Sequence, residues 1–157
     1  MIEAWRIART SEKEKAFSGE GSRIWGGRWN SKGVAMVYTA STRSLALLEV
    51  LVHIKNAKPI HSPAKDRYVL YPVVFDAAIV EELPDSSLPS DWDAEPPKDS
   101  TKFIGDAWIS GGSSAVLSVP SVIVPEERNY LLNPKHASFS RIEIGLPVPC
   151  RFDPRLL

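Results

Sequence analysis

The sequence is short of long apolar runs, of cysteine and of any excess charge, and each shortage excludes a class of function. Apolar runs such as residues 45–48 fall far short of the ~18 consecutive residues that suggest a membrane span. Cys150 stands alone, so no internal disulfide forms, and residues 1–6 lack the basic start and apolar core of a secretory signal. A reducing cytoplasm is the expected compartment. Lysine plus arginine and aspartate plus glutamate number 19 each, so no bulk positive field gathers nucleic acid or anionic membrane. His53, His61 and His136 make no metal-ligand spacing, and no metal is expected. Ser121 lacks the Gly-x-Ser-x-Gly frame of an acyl-transfer nucleophile, and neither Gly-x-Gly-x-x-Gly nor a P-loop occurs.

What is present fits one domain. A chain of 157 residues can bury its own core, and residues 1–157 read as a single α+β domain with a mixed sheet. Residues 19–33 hold five glycines, two tryptophans and two arginines, too irregular a pattern for a helix or an amphipathic strand. This stretch reads as a functional loop, because glycine permits tight turns and close approach while Trp and Arg need something to stack on or pair with. The competing structural reading is a tight hairpin whose tryptophans cap the core.

Strands are expected near residues 5–8, 34–39 and 67–75, the last with Pro72 forcing an edge or bulge. Ser41 or Thr42 caps a helix over residues 43–54 that is apolar nearly all round, which predicts a central position. Residues 84–97 read as a long irregular connection, of the kind that is either a lid or binding loop or else mobile. A second helix is expected from Ser100 or Thr101 to about Ser110, with Phe103, Ile104, Ala107 and Trp108 on one face, ended by Gly111 and Gly112. Extended segments follow at residues 115–119, 122–124, 140–144 and 148–152.

Glu49 is the only charged residue within residues 45–52, and a carboxylate among apolar neighbours needs a cation or several donors. It is either a structural partner of an arginine or of His53, or a catalytic carboxylate facing a cleft. Arg28 follows two glycines, so a bent backbone can deliver its planar fork to a pyrophosphate or carboxylate, or to Glu49 itself. Tyr38 offers an aromatic face and a hydroxyl, either to the core or to a ligand.

Six blocks taken in order resemble one family. They are Gly26-Gly27-Arg28-Trp29-Asn30, Val37-Tyr38-Thr39, Ala46-Leu47-Leu48-Glu49-Val50-Leu51, Gly105-Asp106-Ala107-Trp108, Val119-Pro120-Ser121 and Asn129-Tyr130-Leu131-Leu132-Asn133-Pro134. Together they look like the RES domain, named for an arginine, a glutamate and a serine that fall here on Arg28, Glu49 and Ser121. The resemblance implies a fold similar to ADP-ribosyltransferases of the diphtheria-toxin kind. It also implies a toxin of a type II toxin–antitoxin pair that consumes NAD+ by hydrolysis or phosphorolysis, or transfers ADP-ribose to a protein, and is neutralised by an Xre-type antitoxin. NAD+ is then the substrate, and no resident cofactor is implied.

Carried over by motif, Arg28, Tyr38 and Glu49 form the transferase-like triad, with Ser121 and Asn133 completing the pocket. Arg28 would grip the pyrophosphate, Tyr38 would stack on or orient the nicotinamide end, and Ser121 and Asn133 would donate to ribose or phosphate. Arg6 is a further candidate for a phosphate contact. Two other classes remain open: a ribonuclease-like toxin using His53 or His136 with Glu49, and a non-catalytic module whose Gly/Trp/Arg loop binds a partner. Either a homodimer or a toxin–antitoxin hetero-oligomer is compatible with the sequence.

Overall fold

The structure, a computed structural model, describes residues 1–56 and 67–156. Among them eight strands form one sheet. They are β1 (Ile2–Arg9), β2 (Val37–Ala40), β3 (Tyr68–Phe75), β4 (Val80–Glu82), β5 (Val116–Pro120), β6 (Arg128–Leu132), β7 (Glu143–Ile144) and β8 (Val148–Cys150). The order is β4-β5-β6-β2-β1-β3-β7, with β8 also on β3; only β4 and β5 run parallel, so the sheet is mixed, as expected. Three α-helices accompany it: α1 (Glu20–Trp25), α2 (Arg43–Asn56) and α3 (Asp99–Gly111).

Strand alternation divides the core between the two faces of the sheet. On one face Ala4, Val37, Val73, Phe75, Val116 and Leu132 pack with Ile79 and Ile142. The other face carries two clusters side by side. Trp5, Ile7, Ala40 and Leu70 receive Leu45 and Ala46 of α2, while Leu117, Val119 and Leu131 receive Trp108 of α3 with Trp29 and Met36. Tyr38, Ala40, Asn129 and Leu131 fall on this second face, between the seats of α2 and α3, and a cleft opens there.

Several expectations are corrected by packing. The glycine-rich stretch contains the short helix α1, which lies between Gly19 and Gly26, both at φ 72°. Helix α2 does start at its expected cap, Thr42 Oγ1 accepting from the Leu45 amide at 3.0 Å, but it is not central. Leu48 and Val52 are 37% and 42% exposed, because only one side of α2 meets the sheet. Pro72 sits inside β3 where β8 gives way to β7: its carbonyl accepts from Gly145 on the outer side at 2.8 Å, so its missing N–H falls at the gap between the two outer strands.

Helix α3 begins at Asp99, one or two residues before the expected caps, and Thr101 is buried and donates instead to the Arg28 carbonyl at 2.6 Å. Phe103 is exposed, whereas Trp108 is buried with its indole N–H on Ser114 Oγ. Residues 122–124 form a bend rather than a strand, because the Ser121 hydroxyl accepts from the amides of Ile123 and Val124 at 3.1 and 3.2 Å. The segment expected over residues 140–144 is largely a 3₁₀ turn, Ala137–Arg141, before the two-residue β7.

Candidate active site

The cleft has a volume of about 590 Å³, well within the range of small-molecule sites. Its floor is β1, β2 and β6; α2 forms one wall, and the α1–β2 loop together with residues 95–102 forms the other. Arg28, Tyr38 and Glu49 all line it, so the three residues separated in sequence by up to 21 positions meet in one place.

Glu49 is half-buried on α2, and its anchoring is specific. Its Oε1 accepts from Ser121 Oγ at 3.1 Å and from Asn129 Nδ2 at 2.7 Å, while Oε2 takes no partner among the described residues. Neither an arginine nor His53 pairs with it, so the structural-partner expectation fails. Hydrogen bonds to a charged group contribute ~1.5–3 kcal/mol, enough to hold the carboxylate still where Glu49 lines the cleft.

Ser121 is fully buried behind Glu49 and does not line the cleft. Its hydroxyl gives its one proton to Glu49 and accepts from two amides, which uses its whole hydrogen-bonding capacity. The expected donation from Ser121 to a ligand is therefore replaced by donation to Glu49. Asn133 is displaced further. It lies past the far end of β6, roughly 13 Å along the strand from Asn129 at ~3.3 Å per residue, with its Oδ1 on the Lys135 amide. Asn133 builds a turn, and Asn129 holds Glu49. The sequence carried one signal for this: both asparagines lie one strand period from Leu131, but Asn133 precedes Pro134, which ends the strand before it.

Tyr38 and Arg28 are held by the glycine-rich stretch. The Tyr38 hydroxyl donates to Asn30 Oδ1 at 2.6 Å and accepts from the Trp29 amide at 3.1 Å. Burial raises its pKa well above the ordinary tyrosine value, so the phenol stays neutral and only its ring is free to meet a ligand. Asn30, fully buried, also donates to the Ser22 and Val34 carbonyls at 2.9 Å and pins the loop from inside; it was not singled out from the sequence. A Cβ at position 27 would press within 2.6 Å of the Tyr38 hydroxyl, so Gly27 is what lets the loop close over it. Gly105 on α3 admits the Trp29 carbonyl in the same way, and Asp106 Oδ1 accepts from the Ser31 amide at 2.9 Å.

Arg28 reaches across to the long connection of residues 84–97. Its Nη1 donates to the carbonyls of Trp92 and Ala94 at 3.1 and 2.7 Å, and its Nη2 pairs with Glu95 Oε2 at 3.0 Å. Arg6 borders the cleft, but alternation along β1 sets it on the opposite face from Trp5 and Ile7. Its guanidinium donates to the carbonyls of Ala16 at 2.5 Å and Tyr38 at 2.9 Å and lies over the Phe17 ring. Burial lowers its pKa to about 10, so it remains a cation at neutral pH, committed to backbone. His53 lines the cleft, His136 accepts from the Ser138 amide away from it, and His61 lies outside the described residues.

The RES-domain family model matches residues 3–153. The chain belongs to the RES-domain family. A protein of Yersinia enterocolitica named Toxin Res is 37% identical, the match covering 97% of each chain. The Prs ADP-ribosylating toxin of a Sphingobium strain is 40% identical over 98% of this chain and 95% of its own. Among solved structures, a chain in the Mycobacterium tuberculosis MbcT–MbcA toxin–antitoxin complex superposes with a TM-score of 0.77 at 18% identity, covering 96% of this RES domain and 84% of that chain, which establishes a shared fold. No helix among the described residues is long and apolar enough to cross a membrane.

Proposed function

We propose that this RES domain is the toxin of a toxin–antitoxin pair and cleaves the nicotinamide–ribose bond of NAD+. The observation that carries the reading is Glu49, whose one oxygen is fixed by Ser121 and Asn129 and which lines a cleft shared with Arg28 and Tyr38. Cleavage sends the bonding pair to the pyridinium ring, which departs as neutral nicotinamide and needs no general acid. Positive charge then grows on the ribose, and a fixed carboxylate stabilises it as it develops. Arg28 grips the pyrophosphate, and the pinned Tyr38 ring orients the nicotinamide end.

Water or phosphate adds to the sugar cation in the NAD+-depleting reading. A protein nucleophile does so in the second reading, ADP-ribosyl transfer, which the name of the Sphingobium relative favours. The neutralising partner is an antitoxin, of the Xre type by the family resemblance.

Nicotinamide release from NAD+ by the purified chain, with and without inorganic phosphate, tests the proposal. Release lost in folded Glu49→Gln is the expected result, and acceleration by phosphate separates phosphorolysis from hydrolysis. No release in either buffer, together with no ADP-ribose incorporated into lysate protein, would sink it.

A further inference from the structure

Arg28 is the group assigned to an anionic ligand, yet in the unliganded cleft its guanidinium is already engaged. The two contacts differ in kind. Nη1 is tied to two backbone carbonyls, Trp92 and Ala94, which fix the plane of the fork. Nη2 is held only by the Glu95 carboxylate, through one oxygen at 3.0 Å, and Nε has no protein partner among the described residues. The Nε–Nη2 edge is the one a two-oxygen anion grips with parallel bonds, and Glu95 fills it with a single bond. Arg28 is 14% exposed whereas Glu95 is 67% exposed, so the carboxylate is the partner that can swing into water.

We propose that Glu95 is an affinity-setting residue that occupies the anion position of Arg28 until a phosphate-bearing ligand displaces it. The inference rests on Arg28 being the anion clamp of the proposed function. Displacement exchanges one hydrogen bond from a half-solvated carboxylate for a bidentate grip, while the Trp92 and Ala94 carbonyls keep the guanidinium in place throughout. Glu95 thus keeps Arg28 aimed into the cleft and opposes weakly bound anions, and a ligand that can span Nε and Nη2 overcomes it. An ion pair with one exposed member is modest, so the effect on affinity is about two- to fivefold.

The experiment is calorimetric titration of the full chain with inorganic pyrophosphate and with ADP-ribose, for wild type, Glu95→Gln, Asp93→Asn and Glu95→Gln combined with Arg28→Ala. Asp93 is an exposed acid of the same connection and controls for loss of one negative charge. Glu95→Gln is expected to lower both dissociation constants about two- to fivefold, Asp93→Asn to leave them alone, and the gain to vanish without Arg28. An unchanged or raised constant in Glu95→Gln would mean that Glu95 only props Arg28, and an equal gain in Asp93→Asn would mean bulk charge; either result overturns the proposal. A gain in pyrophosphate affinity from a chain that neither releases nicotinamide nor incorporates ADP-ribose into lysate protein would sustain the role of Glu95 and overturn NAD+ cleavage.

Discussion

One wall of the cleft is built on regular elements and the other on loops, and the two treat their polar groups differently. On the first, together with the floor, Glu49 projects from α2, Asn129 from β6 and Arg6 from β1, each hydrogen-bonded to groups on neighbouring parts of the fold. On the second, Arg28 projects from a glycine-rich loop and is met by Glu95 from another loop, a pair that solvent reaches. A group that must stabilise a transition state gains from rigid support, whereas a group that must release one partner to take another gains from a loop. The two arginines make the contrast sharpest. Arg6 spends its donors on carbonyls that would otherwise be orphaned, and Arg28 keeps one edge exchangeable.

The largest expected effect separates chemistry from fold on the rigid wall. Glu49→Gln should lower kcat for nicotinamide release by at least about a hundredfold with KM within about threefold, since the missing charge acts on the transition state. A loss confined to KM would place Glu49 in binding instead. Next in size is Arg6→Leu, which strands the Ala16 and Tyr38 carbonyls and should cost about 2–4 kcal/mol in urea unfolding, or roughly 5–12 °C in Tm. Were Arg6→Leu as stable as wild type but weak in ligand binding, the distinction between the two arginines would collapse.

Arg28→Ala is the matching test on the loop wall. Raised KM, by about tenfold, with Tm changed by less than about 3 °C is the expected pattern for a clamp held by a loop whose own acid, Glu95, is solvated. The smallest effect compares the two ends of β6. Asn129→Ala should reduce kcat by several-fold through a looser Glu49, while Asn133→Ala should cost only about 1 kcal/mol of stability by losing its turn contact to Lys135. Equal kcat losses at both positions would return Asn133 to the site.

Much of the scaffold was legible from local pattern. The strands of residues 5–8, 67–75 and 115–119, the cap at Thr42 and the stop at Gly112 follow from alternation, capping chemistry and the left-handed preference of glycine, all of which act within a few residues. The convergence of Arg28, Tyr38 and Glu49 was legible only through motif resemblance, because nothing in spacing says that positions 28 and 49 share a cleft. Helix α1 was missed because six residues bounded by glycines carry too little periodicity to register. The central position inferred for α2 was wrong for a related reason: apolar composition measures what a helix could bury, and the sheet offered it one side only.

The sequence by itself determined the long strands, the helices α2 and α3, the balanced charge and the family, since each is a property of residues near one another or of ordered motifs. The tertiary structure decided the partners. That Ser121 serves Glu49 and not a ligand, that Asn129 rather than Asn133 joins it, that Arg28 meets Glu95 and that Arg6 turns to the opposite face all rest on contacts between residues ten or more positions apart, most of them more than sixty. Such pairings follow from strand register and helix seating, which the whole core sets at once.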